Sequence, residues 1–179
     1  ADSYFNKTGE DLARVFELSQ VARPPASSLA GEVGRDKIRK PPSVRFSVLS
    51  QWIQMPNMEE DIKKEGLEEW VKYAKVWVEK YAPESERFIV QKSLPSASKT
   101  LSFKQRDFLK KVAKELDKKW EAEEFQKNLY EWAKELDISS KDAFPAIYLS
   151  LIGKDHGPKA AWLILSLDKE FIKKRFNEV

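Results

Sequence analysis

Apolar residues recur every three or four positions along most of this chain, the spacing that puts them on one face of an α-helix, and they almost never alternate as a half-buried strand requires. The fullest stripe is Leu67, Trp70, Val71, Ala74, Trp77, Val78 and Tyr81, closed by Pro83. It predicts a core helix with Trp70 and Trp77 packed inside. Val48, Leu49, Trp52 and Ile53 share a face behind Ser43, a candidate cap, and Pro56 stops them. Asn57 followed by Glu60 reads as the cap of a short helix ending at Gly66. Ser102 with Gln105 forms a capping box ahead of Phe108, Leu109, Val112, Ala113 and Leu116. Phe125, Leu129, Trp132, Ala133 and Leu136 make a further stripe, and Asp168 can cap a last helix with Phe171, Ile172 and Phe176. Near the start, Leu12, Val15, Phe16 and Ser19 mark a helix that fades near Gln20.

The interruptions are as informative. Pro24-Pro25, Ser27-Ser28, Gly31, Gly34 and Pro41-Pro42 make residues 21–42 a linker or long loop, and residues 92–100 form a second polar loop. The run from Arg87 to Gln91 has strand-like composition but is too short and solitary to build a sheet. Ser139 and Asp142 resemble a capping box, yet Pro145 would then sit inside the helix and clash with a preceding carbonyl. A later start, with Asp142 as cap and Pro145 in the first turn, removes the conflict. Gly153 stops this apolar helix and Pro158 is placed to begin the next, so a tight turn carries Lys154, His156 and Lys159 outward together. The pattern gives about eight helices, no sheet and no internal repeat. The expected architecture is all-α, a helical bundle at 43–179 preceded by a helix at 1–20 and the linker at 21–42.

A chain of 179 residues can bury a real core as one domain or slightly more, and 41% hydrophobic content supplies it. No apolar run approaches the ~20 residues needed to span a bilayer and no signal pattern opens the chain. A soluble, cytoplasmic protein is expected. There is no cysteine and one histidine, which excludes thiolate zinc sites and a cysteine nucleophile. A serine–histidine–acid triad would have to use His156, and no nucleophile elbow accompanies it. Lys and Arg outnumber Asp and Glu by 32 to 29, too evenly for indiscriminate polyanion binding, so any nucleic-acid site must be a local patch.

Several separated blocks resemble, in order, the C-terminal half of class I lysyl-tRNA synthetases. They are Tyr4-Phe5 with Gly9-Glu10 and Arg14 to Ser19; Val44-Arg45-Phe46 with Leu49 and Gln54-Met55-Pro56; Ala74, Trp77-Val78 and Lys80 to Glu84; then Gly153-Lys154, Gly157-Pro158-Lys159, Leu167-Asp168 and Phe171 to Phe176. The similarity covers nearly the whole chain outside residues 23–42. Bacterial-type glutamyl-tRNA synthetases share something like the Gly-Pro turn; the block at Lys80-Tyr81-Ala82-Pro83 favours the lysyl family.

The resemblance implies a cage of α-helices that grips the anticodon loop of lysine tRNA, with residues 1–20 leaving a catalytic domain absent from this chain. That domain would carry the His-Ile-Gly-His-like and Lys-Met-Ser-Lys-Ser-like signatures and bind ATP, with magnesium, and lysine. Neither signature occurs here, so no cofactor is expected in the chain itself and no lysyl-adenylate from it alone. A monomer is the expected state. The alternatives are the matching part of a glutamyl-tRNA synthetase and a helical protein-interaction scaffold.

Reading a single-stranded loop requires planes on which bases stack and groups that hydrogen-bond their edges. Uridine, abundant in lysine anticodons, presents one N–H between carbonyl acceptors, so its reader needs an amide or carboxylate oxygen beside a cationic or amide donor. From chemistry the candidates are Arg45, Gln51, Gln54, Lys154, Lys159 and Arg175 for hydrogen bonding, with Trp52, His156 and Trp162 for stacking. Each has a plainer reading. Trp52 shares its face with Leu49 and Ile53, which suggests burial; Trp162 can pack either way; His156 is a surface residue in most such turns. Arg175 can turn inward, four residues from Phe171, while its neighbours complement a helix terminus. Replacing Lys154 or Lys159 by alanine is expected to weaken tRNA binding with the fold intact.

Overall fold

The computed structural model describes residues 44–179. The helix expected before Gln20, the 21–42 linker and the Ser43 cap lie outside the described residues. Among the described residues there are eight α-helices and no strand. They are α1 (Phe46–Trp52), α2 (Glu59–Lys64), α3 (Glu68–Lys80), α4 (Phe103–Glu115), α5 (Ala122–Glu135), α6 (Ser140–Leu151), α7 (Ala160–Ser166) and α8 (Lys169–Asn177). Two single 3-10 turns, Glu84–Glu86 and Ser96–Thr100, punctuate the connection from α3 to α4.

The amphipathic stripes assemble around α4, which packs against α5, α6 and α8, while α7 closes on α5 and α6. Phe108, Leu109 and Val112 of α4 share one fully buried cluster with Phe125 and Leu129 of α5, Ile147 and Leu151 of α6, Leu163 and Ile164 of α7, and Ile172 and Phe176 of α8. Burying a large apolar side chain is worth about 1.5–3 kcal/mol, so these few residues dominate the stability of the bundle. Trp132 meets Trp120 and Phe125 edge-on, and those two rings meet at a tilt, with all centroids 5.4–5.7 Å apart; the Trp120 indole N–H donates to the Glu115 carbonyl at the end of α4.

The helix starts follow local chemistry in part. Ser102 and Gln105 make the expected reciprocal capping box, and the Asp168 carboxylate accepts from Phe171 N–H. Asn57 does something else. It adopts φ 57°, Met58 occupies the cap position of α2, and the Asn57 amide reaches across the fold to donate to the Ser166 carbonyl at 2.8 Å. Asparagine tolerates the left-handed region, and its side chain is thereby free to join α2 to the end of α7. Arg45 is the cap residue of α1 and makes no side-chain capping bond.

Two further expectations change. Helix α6 starts at Ser140, not later, and contains Pro145. The Ser139 hydroxyl bonds the Asp142 carboxylate instead of the helix N–H groups. The carbonyl that loses its partner to Pro145 belongs to Lys141, in the exposed first turn, where solvent can replace the missing bond. Helix α3 carries the longest stripe yet is not the core helix. Only Ala74 within it is buried, Trp70 and Trp77 are half-buried, and Tyr73 and Val76 are exposed. Its helical partner is α1, where Phe46 meets Trp77 edge-on at 5.8 Å, and one short helix cannot cover so wide a stripe. The segment from Arg87 to Gln91 is extended but pairs with no strand; Phe88 is buried and Gln91 N–H donates to the Leu151 carbonyl.

Candidate functional site

The turn between α6 and α7 begins at Gly153, whose φ of +75° ends the helix in the conformation glycine adopts without steric cost. It closes at Pro158, which stands two residues before α7 instead of starting it and is buried. The Tyr148 hydroxyl donates to the Pro158 carbonyl at 2.6 Å, and burial pushes that phenol up to about 12, so the donor keeps its proton at any working pH. Gly157 lies so close to Tyr148 that an added Cβ would fall 2.9 Å from its ring.

This turn spends two of its three cationic or basic side chains on the protein. Lys154 Nζ donates to the carbonyls of Glu84 and Arg87, both at 2.6 Å. His156 places Nδ1 2.5 Å from the Asp155 carboxylate and Nε2 3.1 Å from the Ser85 carbonyl. Both ring nitrogens face acceptors; the Asp155 bond first and the Ser85 bond second raise the pKa of the ring above the ordinary value of 6.5. Together the two residues clasp the 3-10 turn at Glu84–Glu86. Lys159 is different: it is exposed, and its ammonium sits over the Trp162 ring at 4.4 Å.

Other candidates are also engaged inside the fold. Arg175 is 2% exposed, with its guanidinium donating to the carbonyls of Ser150, Gln91 and Lys92 and lying 4.9 Å from the Phe171 ring centre. Burial lowers its pKa, and Glu178 at 3.9 Å offsets part of that. Gln54 donates to the carbonyls of Ser50 and Glu86 and accepts from Phe88 N–H. Trp52 is buried in the core, and Arg45 is exposed at the start of α1.

Gln51 and Lys159 come together with residues the sequence did not single out. They border a groove of about 360 Å³, between α1, α5, α6 and the α6–α7 turn, whose other walls include Gln126, Tyr130, Phe144 and Tyr148. Its volume lies in the range of about 300–1,000 Å³ typical of ligand clefts. Tyr130 is 51% exposed and leans on Phe144 with centroids 4.7 Å apart. The Gln126 carbonyl oxygen accepts from Ala161 N–H at 3.1 Å, which orients that amide and leaves its NH2 group unspent; the half-buried Gln51 amide has no hydrogen-bond partner among the described residues. Tyr130 was visible as a large aromatic ring one position off the stripe of Phe125, Leu129 and Trp132, a position where burial does not explain an aromatic residue.

No group of three or more metal-ligating side chains occurs among the described residues, and none of their helices is long and apolar enough to cross a membrane.

Comparison with known proteins adds the family. The family model for an anticodon binding domain matches residues 63–179. The lysine–tRNA ligase of Methanosphaera stadtmanae is 30% identical over 197 residues, covering 96% of this chain and 35% of its own length. That of Pyrococcus furiosus is 35% identical over 178 residues, covering 94% of this chain and 33% of its own, and that of Pyrococcus horikoshii is 32% identical over 180 residues with the same coverage. The chain thus spans about a third of the length of the curated relatives it matches.

Proposed function

We propose that this chain, which belongs to the anticodon binding domain family, reads the anticodon loop of lysine tRNA on behalf of a class I lysine–tRNA ligase. In the longer protein a separate catalytic part would use ATP, magnesium and lysine to charge the tRNA in the cytoplasm, and this chain would supply the grip on the anticodon as a single copy.

One observation carries the reading: the unspent Gln51 amide, the unspent NH2 of Gln126 and a lysine border one groove beside the exposed Tyr130 ring. Gln51 can offer its amide oxygen to the N3–H of a uracil, and the oriented Gln126 NH2 can donate to a flanking carbonyl. Cytosine lacks that N3–H and presents an amino group where uracil has its O4 acceptor, so the same pair discriminates against it. Lys159, backed by the Trp162 ring, supplies positive charge for a backbone phosphate, and Tyr130 supplies a stacking face.

A filter-binding titration tests it. The chain should bind a lysine anticodon stem–loop with an affinity that falls steeply with salt. Gln51→Ala and Gln126→Ala should each cost about 1–3 kcal/mol and narrow the difference between uridine and cytidine loops, whereas Lys159→Ala should weaken all loops about equally. Wild-type affinity and selectivity in both glutamine variants would remove the groove from the reading.

A further inference from the structure

Tyr130 borders a second cleft as well as the first. Beside it lies an open space of about 400 Å³ lined by Lys134 near the end of α5, by Asp137 and Ile138 in the connection that follows, and by Ser139 and Ser140 at the start of α6. The two clefts therefore share one half-exposed aromatic side chain, packed on one side against Phe144. We propose that they hold two consecutive nucleotides of one single strand, with the Tyr130 side chain standing between them and its open face stacking on one of their bases.

The chemistry of the second cleft suits a nucleotide better than an apolar ligand. Lys134 is exposed and makes no ion pair or side-chain hydrogen bond among the described residues, which leaves its ammonium available to a phosphate. The carboxylate that would repel that phosphate is already occupied: Asp137 is bonded by Lys104 at 2.8 Å, and Lys104 also donates to the Asp137 carbonyl. Ile138, 8% exposed, gives the cleft an apolar wall. The Tyr130 hydroxyl has no hydrogen-bond partner among the described residues, so its ring is positioned by Phe144 and not by a polar tether. A ring held this way accepts a base on whichever face is open without specifying which base, because every base has a π-face.

The inference rests on the base-reading proposal above, and the test keeps the two apart. The chain and its variants are titrated with anticodon stem–loops carrying one abasic site at each loop position in turn. The position whose abasic penalty disappears in Gln51→Ala marks the nucleotide in the first groove. Tyr130→Ala is expected to weaken the intact loop roughly 5- to 100-fold, from the stacking of one base, while Tyr130→Phe stays near wild type. Tyr130→Ala should also erase the abasic penalty at the marked position or at one position immediately beside it. Lys134→Ala should reduce the salt dependence without changing which positions matter. A Tyr130→Ala variant that binds like wild type, or that couples only to a position that is neither the marked one nor its immediate neighbour, overturns the two-nucleotide arrangement while the first groove stands. If wild-type chain binds no loop, or no position couples to Gln51, base reading itself fails and this inference with it.

Discussion

The turn at Gly153–Lys159 and the groove beside it are built from similar residue types and put them to opposite uses. In the turn, Lys154 and His156 are bonded to carbonyls of the 84–87 segment, about seventy residues away in sequence, so their donors stabilise the fold. In the groove, Gln51 and the NH2 of Gln126 have no hydrogen-bond partner among the described residues although both residues are half-buried. A ligand that recruited Lys154 would have to replace two short hydrogen bonds first. One that used the groove amides would break none. Polar groups already satisfied by the protein report on architecture, and those left over at a concave surface report on a partner.

This contrast can be broken first at Arg175. Arg175→Leu removes the buried donor of three carbonyls, that of Ser150 itself buried, and should destabilise the chain by about 3 kcal/mol, read as a lower denaturant midpoint. If instead stability is unchanged and RNA binding is lost, Arg175 belongs with the ligand-facing groups. Gly157→Ala comes next, at about 1–3 kcal/mol, because the new Cβ meets Tyr148 at 2.9 Å and Ile152 at 3.0 Å; displacement of Tyr148 should loosen its bond to Pro158 and weaken RNA binding through the groove wall. Lys154→Ala should cost about 1–2 kcal/mol of stability with RNA affinity nearly preserved, the reverse of what its place in a basic turn suggests.

The smallest effect is that of His156. Its folded-state pKa is raised, so the clasp it forms contributes fully below the ordinary histidine value of 6.5 and is lost as pH rises through the higher folded value. A stability profile from pH 6 to 8 should decline slightly in the wild type, and His156→Ala should flatten that decline. An unchanged slope in the variant would assign it to another group.

Much of the fold was legible because helices announce themselves locally. The Ser102–Gln105 box, the Asp168 cap and the stops at Gly66 and Gly153 depend on residues within a turn of each other, and each forms as its spacing predicts. Stripe membership also located the cores of α4 and α5. What escaped was set at long range. Nothing near Asn57 announces its bond to Ser166, and nothing near Lys154 announces the carbonyls it reaches. The stripe of α3 could not reveal how little of it a short neighbour would cover. The cationic turn drew attention by composition, whereas the groove had to be recognised by what its residues leave unbonded, a property that exists only once α1, α5 and α6 meet.

The most direct test of where the strand lies is photo-crosslinking from 4-thiouridine placed at each anticodon position of a stem–loop, followed by identification of the labelled tryptic peptides. The account predicts that the peptide of residues 128–134, which holds Tyr130 and Lys134, is labelled from two adjacent positions. Crosslinks confined to residues 84–87 and 154–156, with none in α5, would contradict it.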